Sequence, residues 1–310
     1  MKILYVTCHG PLHFAESTIL RSLGHEVQVV HSNLTRCDDA PLRGRWLKGN
    51  ASNDHFDIAD ANVVIVMHKP EVIENNWTSW EGKPVYWRTI GQSTPHVERR
   101  MAPYQAKGLR VIRYSPRERH LDDYIGSDGL IRFGLDLVLY SGYTGETPKI
   151  MMVVQRAKKR SHCNFGLLDA ITQDFPRVLY GPDNGDIEFN GGCVPFDELR
   201  KELRCNRVFV SAGTHPASYT MNFMESLMTG SPVVALSFPD HPLYEVSDFI
   251  EHGVNGFCSD DVEELRRCCR LLLDNHDLAK EIGARGRETA IELFGTEHIQ
   301  EAWKQLLAER

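Results

Sequence analysis

Residues 211–237 read SAGTHPASYTMNFMESLMTGSPVVALS, and this stretch decides the fold. It opens on the end of a strand, crosses a polar loop, becomes a helix, stops at a glycine and resumes as a strand. Ser218 and Thr220 are N-cap residues by type, Pro216 precedes the helix, and Gly230 follows its last turn. The helix start therefore presents backbone N–H groups and the positive end of the helix dipole, a natural seat for a phosphate. An ordinary capped helix of an α/β domain accounts for the same residues equally well. On a helical wheel Met221, Phe223, Met224, Leu227 and Met228 make the buried face, and Asn222, Glu225, Ser226 and Thr229 the polar one. Glu225 at the edge of that face is either a solvated carboxylate or an acceptor for hydroxyl groups, since an ionised acid only accepts.

Working outward, the same alternation runs from end to end. KILYVT, EVQVV, NVVIVM, PVYWRT and LRVIRYS are short β-branched runs separated by helical or polar segments. Continuous apolar strands between helices are what a parallel sheet covered on both faces requires. The pattern breaks in LDLVLYSGYTGETPK, which is rich in Gly, Thr and Pro and reads as a linker. A second alternation follows through KIMMVV, RVLYG, RVFVSA and PVVALS, then charged amphipathic helices. The expected class is α/β, with two Rossmann-like domains facing a cleft: residues 1–145, residues 146–295, and a C-terminal helix, 296–310, packed back on the first.

A chain of 310 residues suits two such domains. At 42% hydrophobic and 25% charged it is neither disordered nor built around a membrane span. Eight scattered cysteines without zinc or redox spacing, and no secretory leader, point to the cytoplasm, or the host cytoplasm if a virus encodes the chain. The net charge of −7 hides an asymmetry. Between Lys83 and His120 nine basic side chains face only Glu98 and Glu118, so this region either meets something anionic or is neutralised by the acidic remainder.

The stretch from Pro216 to Val234, followed by DFIEHGVNGF and charged helices, resembles the C-terminal domain of family 4 glycosyltransferases, which have the GT-B fold. In that family a glutamate, seven residues and a second glutamate precede Ala-Met and a Gly-x-Pro-Val-Val strand. Glu225 and Gly230-Ser231-Pro232-Val233-Val234 match the latter part. The likeness covers the last half of the chain; the first half matches in strand pattern alone. It implies a retaining transferase that takes a sugar from a nucleotide-diphosphate donor, UDP-linked, with no cofactor and no metal. The absence of an Asp-x-Asp motif agrees, the Asp38-Asp39 and Asp122-Asp123 pairs being adjacent.

Carried over residue by residue, the resemblance gives Glu225 to the ribose hydroxyls and the backbone of Ser218, Tyr219, Thr220 and Met221 to the donor diphosphate. Asp248, before Gly253, takes the acidic position of the following turn. The family's first glutamate falls on Ala217, a departure that leaves the sugar open and admits a pentose. His215 beside it is either a substitute contact or a loop histidine. Arg156 falls on the cation that neutralises the leaving diphosphate, and Lys158, Lys159 and Arg160 compete for the neighbouring lysine role; cations are needed there because charge builds up on the leaving group.

In the first loop, Gly10 permits close approach to the donor, and His9 or His13 is a base, a positioning group or a structural residue. Arg88 and Gln92 follow the strand PVYWRT as acceptor contacts, with His96, Arg99 and Arg117 from the basic stretch. Tyr86, Trp87, Tyr104 and Tyr114 are interleaved with its cations, a composition that suits a nucleic-acid partner. A hydroxymethylated DNA base, of the kind virus-encoded transferases modify, is thus the leading anionic acceptor. A cell-envelope glycan or lipid, or a GT-B-like binding module without catalysis, are the alternatives.

Overall fold

The computed structural model describes residues 1–7, 9–31, 47–48 and 60–308. Cys8, Cys37 and the Asp38-Asp39 pair lie outside the described residues. The chain divides into two compact units, Met1–Gly134 with Thr296–Arg310, and Leu135–Gly295.

The first unit is built on β1 (Lys2–Thr7), α1 (Gly10–Ser22), β2 (Glu26–His31), β3 (Leu47–Lys48), β4 (Val63–Met67), α2 (Pro70–Asn76), β5 (Val85–Arg88), α3 (Pro95–Gln105), β6 (Arg110–Arg113) and β7 (Gly129–Leu130). Its strands make one parallel sheet in the order β3-β2-β1-β4-β5-β6-β7. The strands VVIVM and VYWR are buried along their whole length, as a strand covered on both faces must be. One face carries a core of Leu4, Val6, Val64, Val66, Ile73, Trp80, Trp87, Met101 and Val111.

The second unit follows with β8 (Thr147–Val153), α4 (Phe165–Thr172), β9 (Arg177–Tyr180), β10 (Asn190–Gly192), α5 (Phe196–Cys205), β11 (Asn206–Ser211), α6 (Met221–Thr229), β12 (Val233–Leu236), α7 (Val246–Phe249), β13 (Phe257–Ser259), α8 (Val262–Asp274) and α9 (His276–Phe294). Its sheet is also wholly parallel, in the order β10-β9-β8-β11-β12-β13. The helix α10 (Thr296–Ala308) belongs to the first unit, where Ile299 and Leu306 lie against Gly134 and Gly129 and Trp303 is wholly buried. The α/β class with two Rossmann-like sheets is thus as the sequence indicates.

Residues 135–145 do not run as a linker. Leu135 N–H donates to the Phe294 carbonyl at 2.8 Å, and the Tyr140 hydroxyl reaches Glu225, so the segment is packed onto the second unit. Its composition signals a break in regular structure, but its backbone polar groups still need partners and find them on α9 and on Arg204 of α5. Arg287 of that helix donates to the carbonyls of Leu137, Tyr140 and Met228.

The position of α6 depends on one close approach. Gly230, with φ 88°, ends the helix in the left-handed conformation, and its carbonyl meets Gly283 of α9 so closely that a Cβ there would lie 2.0 Å away. Gly283→Ala is therefore expected to lower unfolding free energy by about 2–3 kcal/mol or more, because backbone rather than a pliable side chain must give way. Gly166, inside α4 with open space around its missing Cβ, is the comparison: Gly166→Ala should raise stability by about 0.5–1 kcal/mol in the same urea titration.

Candidate functional site

The order of the strands says where a ligand goes. Each sheet reverses once, between β1 and β4 and between β8 and β11. In open parallel sheets ligands settle beyond the carboxyl ends of the strands at such a reversal.

In the second unit this places the loop after β8 beside the start of α6. The two are joined by the Asn222 side-chain amide, which donates to the Val153 carbonyl, and by Asn164, which donates to the Ala212 carbonyl at 2.9 Å. Thr220 is the N-cap residue of α6, but its hydroxyl pairs with Asn222 and makes no capping bond. No acid stands in the first turn, whereas α3, α5 and α8 carry Glu98, Asp197 with Glu198, and Glu263 with Glu264 there. The positive end of α6 is thus left uncompensated by side chains. Of the residues assigned to the diphosphate, Ser218 and Tyr219 are buried and Thr220 and Met221 half-buried; the Ser218 hydroxyl has no partner among the described residues.

The cations stand on the loop after β8. Arg156, held at φ 50°, extends its guanidinium to Asp183 at 2.8 Å, both side chains about half exposed. Lys158 donates to the Asp186 carbonyl at 2.9 Å, and Arg160 donates through Nε to His162 Nε2 at 3.0 Å. Lys159 is exposed, its ammonium without a partner among the described residues. Exposed ion pairs of this kind are worth about 0–1 kcal/mol, so the cations are cheaply redirected to a phosphate. The loop itself is braced from beneath. Asn184, 2% exposed, donates to the carbonyls of Val154 at 2.6 Å and Gly181 at 3.1 Å and accepts from the Ala157 amide at 2.8 Å. Sequence reasoning passed over Asn184; its signal was the turn Gly181-Pro182-Asp183-Asn184-Gly185 directly after a strand.

Glu225 does not sit on a solvated face. It is 5% exposed, and Ser226 and Thr229 are buried with it, because α5, α9 and residues 137–140 cover the side of α6 that the wheel leaves polar. Its carboxylate accepts from the Tyr140 hydroxyl at 2.6 Å. Burial pushes its pKa up to about 7, against the pull of the Tyr140 hydrogen bond and the Arg200 charge.

In the first unit the reversal falls between Thr7 and Met67. His9 is the N-cap residue of α1, its Nδ1 accepting from the Leu12 amide at 3.4 Å, and Gly10 opens the helix. A neutral His9 bonded in this way carries its proton on Nε2. His13 is buried, with Nδ1 3.2 Å from the His9 carbonyl. His68, which sequence reasoning did not single out, follows β4 with φ 61°; its Nδ1 is buried with no partner among the described residues, and burial followed by Lys69 lowers its pKa. The available signal was its place directly after the apolar run VVIVM.

The acceptor candidates divide. Arg88 ends β5 rather than standing in the loop, and its guanidinium is wholly buried against Glu16 at 2.9 Å, which also takes the Tyr5 hydroxyl. Arg113 is likewise buried, bidentate to Glu98 at 2.7 and 2.8 Å. Arg100 pairs with Glu74 at 2.6 Å, and Arg99, half-exposed, with Asp123. Gln92, half-buried, and His96, exposed, lie on the loop and helix after β5, and Arg117 is half-buried in the turn after β6. At least four of the nine cations between Lys83 and His120 are therefore spent on carboxylates, two of them in the core. Only the neutralised side of the charge asymmetry fits them.

The raised Glu225 pKa makes stability depend on pH. The folded chain holds a proton that an unfolded glutamate releases near 4.5, so this contribution is full below about pH 4.5 and is lost as pH rises to about 7. Glu225→Gln should remove that slope and leave the variant more stable than the parent above pH 8, by up to about 3 kcal/mol. Urea titrations between pH 5 and 9 measure both.

No family model matches the chain. Over 88 residues it is 33% identical to the poly(ribitol-phosphate) alpha-N-acetylglucosaminyltransferase of Staphylococcus aureus (strain COL), a stretch that makes up 28% of this chain and 17% of that protein. Among solved structures, sucrose-phosphate synthase of Thermosynechococcus elongatus superposes over the whole of both chains with a TM-score of 0.74 at 14% identity. Anabaena HepE in complex with UDP-glucose does so with a TM-score of 0.73 at 13% identity. TarM of S. aureus gives 0.62 at 18% identity, over 79% of this chain and 54% of its own. At such identities it is the architecture that is shared: this chain has the GT-B fold of these glycosyltransferases.

Proposed function

We propose that the chain is a retaining glycosyltransferase whose second unit binds a UDP-sugar and whose first unit receives the acceptor. The observation that carries this reading is the start of α6, uncapped by a side chain and free of acids, set at the strand-order reversal with Arg156, Lys158, Lys159 and Arg160 on the adjoining loop. A helix end and a cluster of loosely held cations together suit a diphosphate, and a diphosphate that gains charge as it leaves suits them better still. Glu225 accepts hydroxyl donors of a ribose, held ready by Tyr140.

The step is a displacement at the anomeric carbon. Its bond to the diphosphate oxygen breaks, the acceptor oxygen bonds to it from the same face, and the acceptor proton passes to the departing phosphate oxygen. The protein contributes orientation and neutralisation of the leaving group. The HepE complex contains UDP-glucose, and the staphylococcal relative is named for N-acetylglucosamine, which favours a hexose over a pentose. The named acceptor of that relative, a poly(ribitol-phosphate), makes a polyol-phosphate or similar glycan our favoured acceptor class. A hydroxymethylated DNA base is the weaker reading, since the arginines that suggested it are engaged by Glu16, Glu74, Glu98 and Asp123. A cytoplasmic location is part of this reading, as the compartment of the proposed UDP-sugar donor; no helix among the described residues is long and apolar enough to cross a membrane.

UDP release from UDP-glucose and UDP-N-acetylglucosamine, with poly(ribitol-phosphate), hydroxymethylated duplex DNA or water as acceptor, tests the proposal. Turnover is expected with a hexose donor, and Arg156→Ala with Lys159→Ala should lower kcat by about 10²–10³-fold. UDP binding without turnover on any acceptor would leave a GT-B-like binding module in its place.

A further inference from the structure

Three histidines stand on three neighbouring loops of the second unit, all beyond the carboxyl edge of its sheet. His162 lies in the turn after β8, His215 in the loop after β11 and His241 in the loop after β12. The loops are fastened to one another. The His215 amide donates to the His162 carbonyl at 2.8 Å, and the Glu245 amide to the Ser218 carbonyl at 3.0 Å. The Tyr244 hydroxyl, buried, donates to the Leu236 carbonyl at 2.7 Å. Gly213, at φ 66°, lets the second and third loops meet: a Cβ there would lie 3.0 Å from the Tyr244 ring and 3.3 Å from that of Phe238. Between them is a small cavity of about 40 Å³ lined by Asn164, Thr214, His215, Phe238, His241 and Tyr244.

Within this frame the direction of the hydrogen bonds fixes where the protons are. The Leu243 backbone amide, which can only donate, points at His241 Nδ1 from 3.1 Å, so that nitrogen is bare and the neutral ring carries its proton on Nε2. His241 Nε2 lies 2.9 Å from His215 Nδ1, which must then accept. The neutral His215 ring is left with its proton on Nε2, on a side chain that is exposed beyond the strand ends. Protonating either ring breaks the chain, since His241 loses the acceptor that holds Leu243 or His215 turns an N–H against another. Burial lowers the His241 pKa, and the neighbouring His215 lowers it further, which favours the neutral His241 ring.

We infer that His215 reads an uncharged oxygen on the transferred sugar, a hydroxyl or an acetamido carbonyl, by presenting a fixed Nε2–H, and that His241 is the positioning residue that sets this tautomer. The inference rests on the UDP-sugar transferase reading above. The phosphates have cations and helix amides to meet them on the β8 side; a neutral, oriented donor on the β11 and β12 side matches the uncharged part of the same molecule. A donor held by two loops and a backbone amide costs little further ordering when the sugar arrives.

UDP affinity by calorimetry, and kcat/KM with UDP-glucose and UDP-N-acetylglucosamine, test this on the full chain. His215→Ala should leave the UDP Kd within about twofold while lowering kcat/KM for the better donor about tenfold or more, the worth of one oriented hydrogen bond. His215→Gln, which restores an N–H donor, should recover part of it. His241→Phe should reproduce most of the loss, and the His215→Ala/His241→Phe double variant should be no worse than His215→Ala alone, because the two residues act as one. A purely structural role would instead weaken UDP binding and sugar transfer together. Wild-type chain that takes up UDP and uses a donor no better than His215→Ala overturns the histidine inference and leaves the transferase; wild-type chain that takes up no UDP overturns both.

Discussion

The contact of Gly230 with Gly283 governs the second unit. It brings α6 and α9 to backbone distance, and Arg287, one turn further along α9, then reaches the Met228 carbonyl of α6 and those of Leu137 and Tyr140. That holds Tyr140 over Glu225. Helix placement, the covering of its polar side and the pKa of its one acid therefore follow from two missing side chains. A buried, hydrogen-bonded carboxylate near its own pKa at neutral pH is costly to keep, and folds retain such groups where binding uses them.

The carboxyl edge of the same sheet is divided by chemistry. The loop after β8 is cationic and held by pairs that water already weakens, so its charges can turn to a ligand at little cost. The loops after β11 and β12 hold no lysine or arginine and are fastened by backbone hydrogen bonds, so they orient a ligand rather than attract an anion. A nucleotide-sugar is divided in the same way, a charged diphosphate joined to an uncharged ring.

Much of this was legible in residues 211–237, because strand, loop, helix, glycine and strand are local patterns. The parallel sheets were legible for the same reason: their strands are continuous apolar runs. What the sequence hid was non-local. The partner of Glu225 is 85 residues away, that of Arg88 is 72 away and that of His215 is 26 away. A count of arginines between Lys83 and His120 carries no information on whether Glu16 or Glu98 will meet them, and two of those arginines turned out to be core residues. The wheel of α6 failed on its polar face because segments distant in sequence, not solvent, cover it.

The helix α10 completes the first unit although it follows the whole of the second. During synthesis the ribosome therefore releases every residue of the second unit, 135–295, before the first unit has the helix that covers Gly129, Gly134 and α1. A chain made from its N-terminus must carry that apolar face unsheltered for the time it takes to add more than half its length, while the second unit can close as soon as it emerges. The order in which the two units mature is thus the reverse of the order in which they begin.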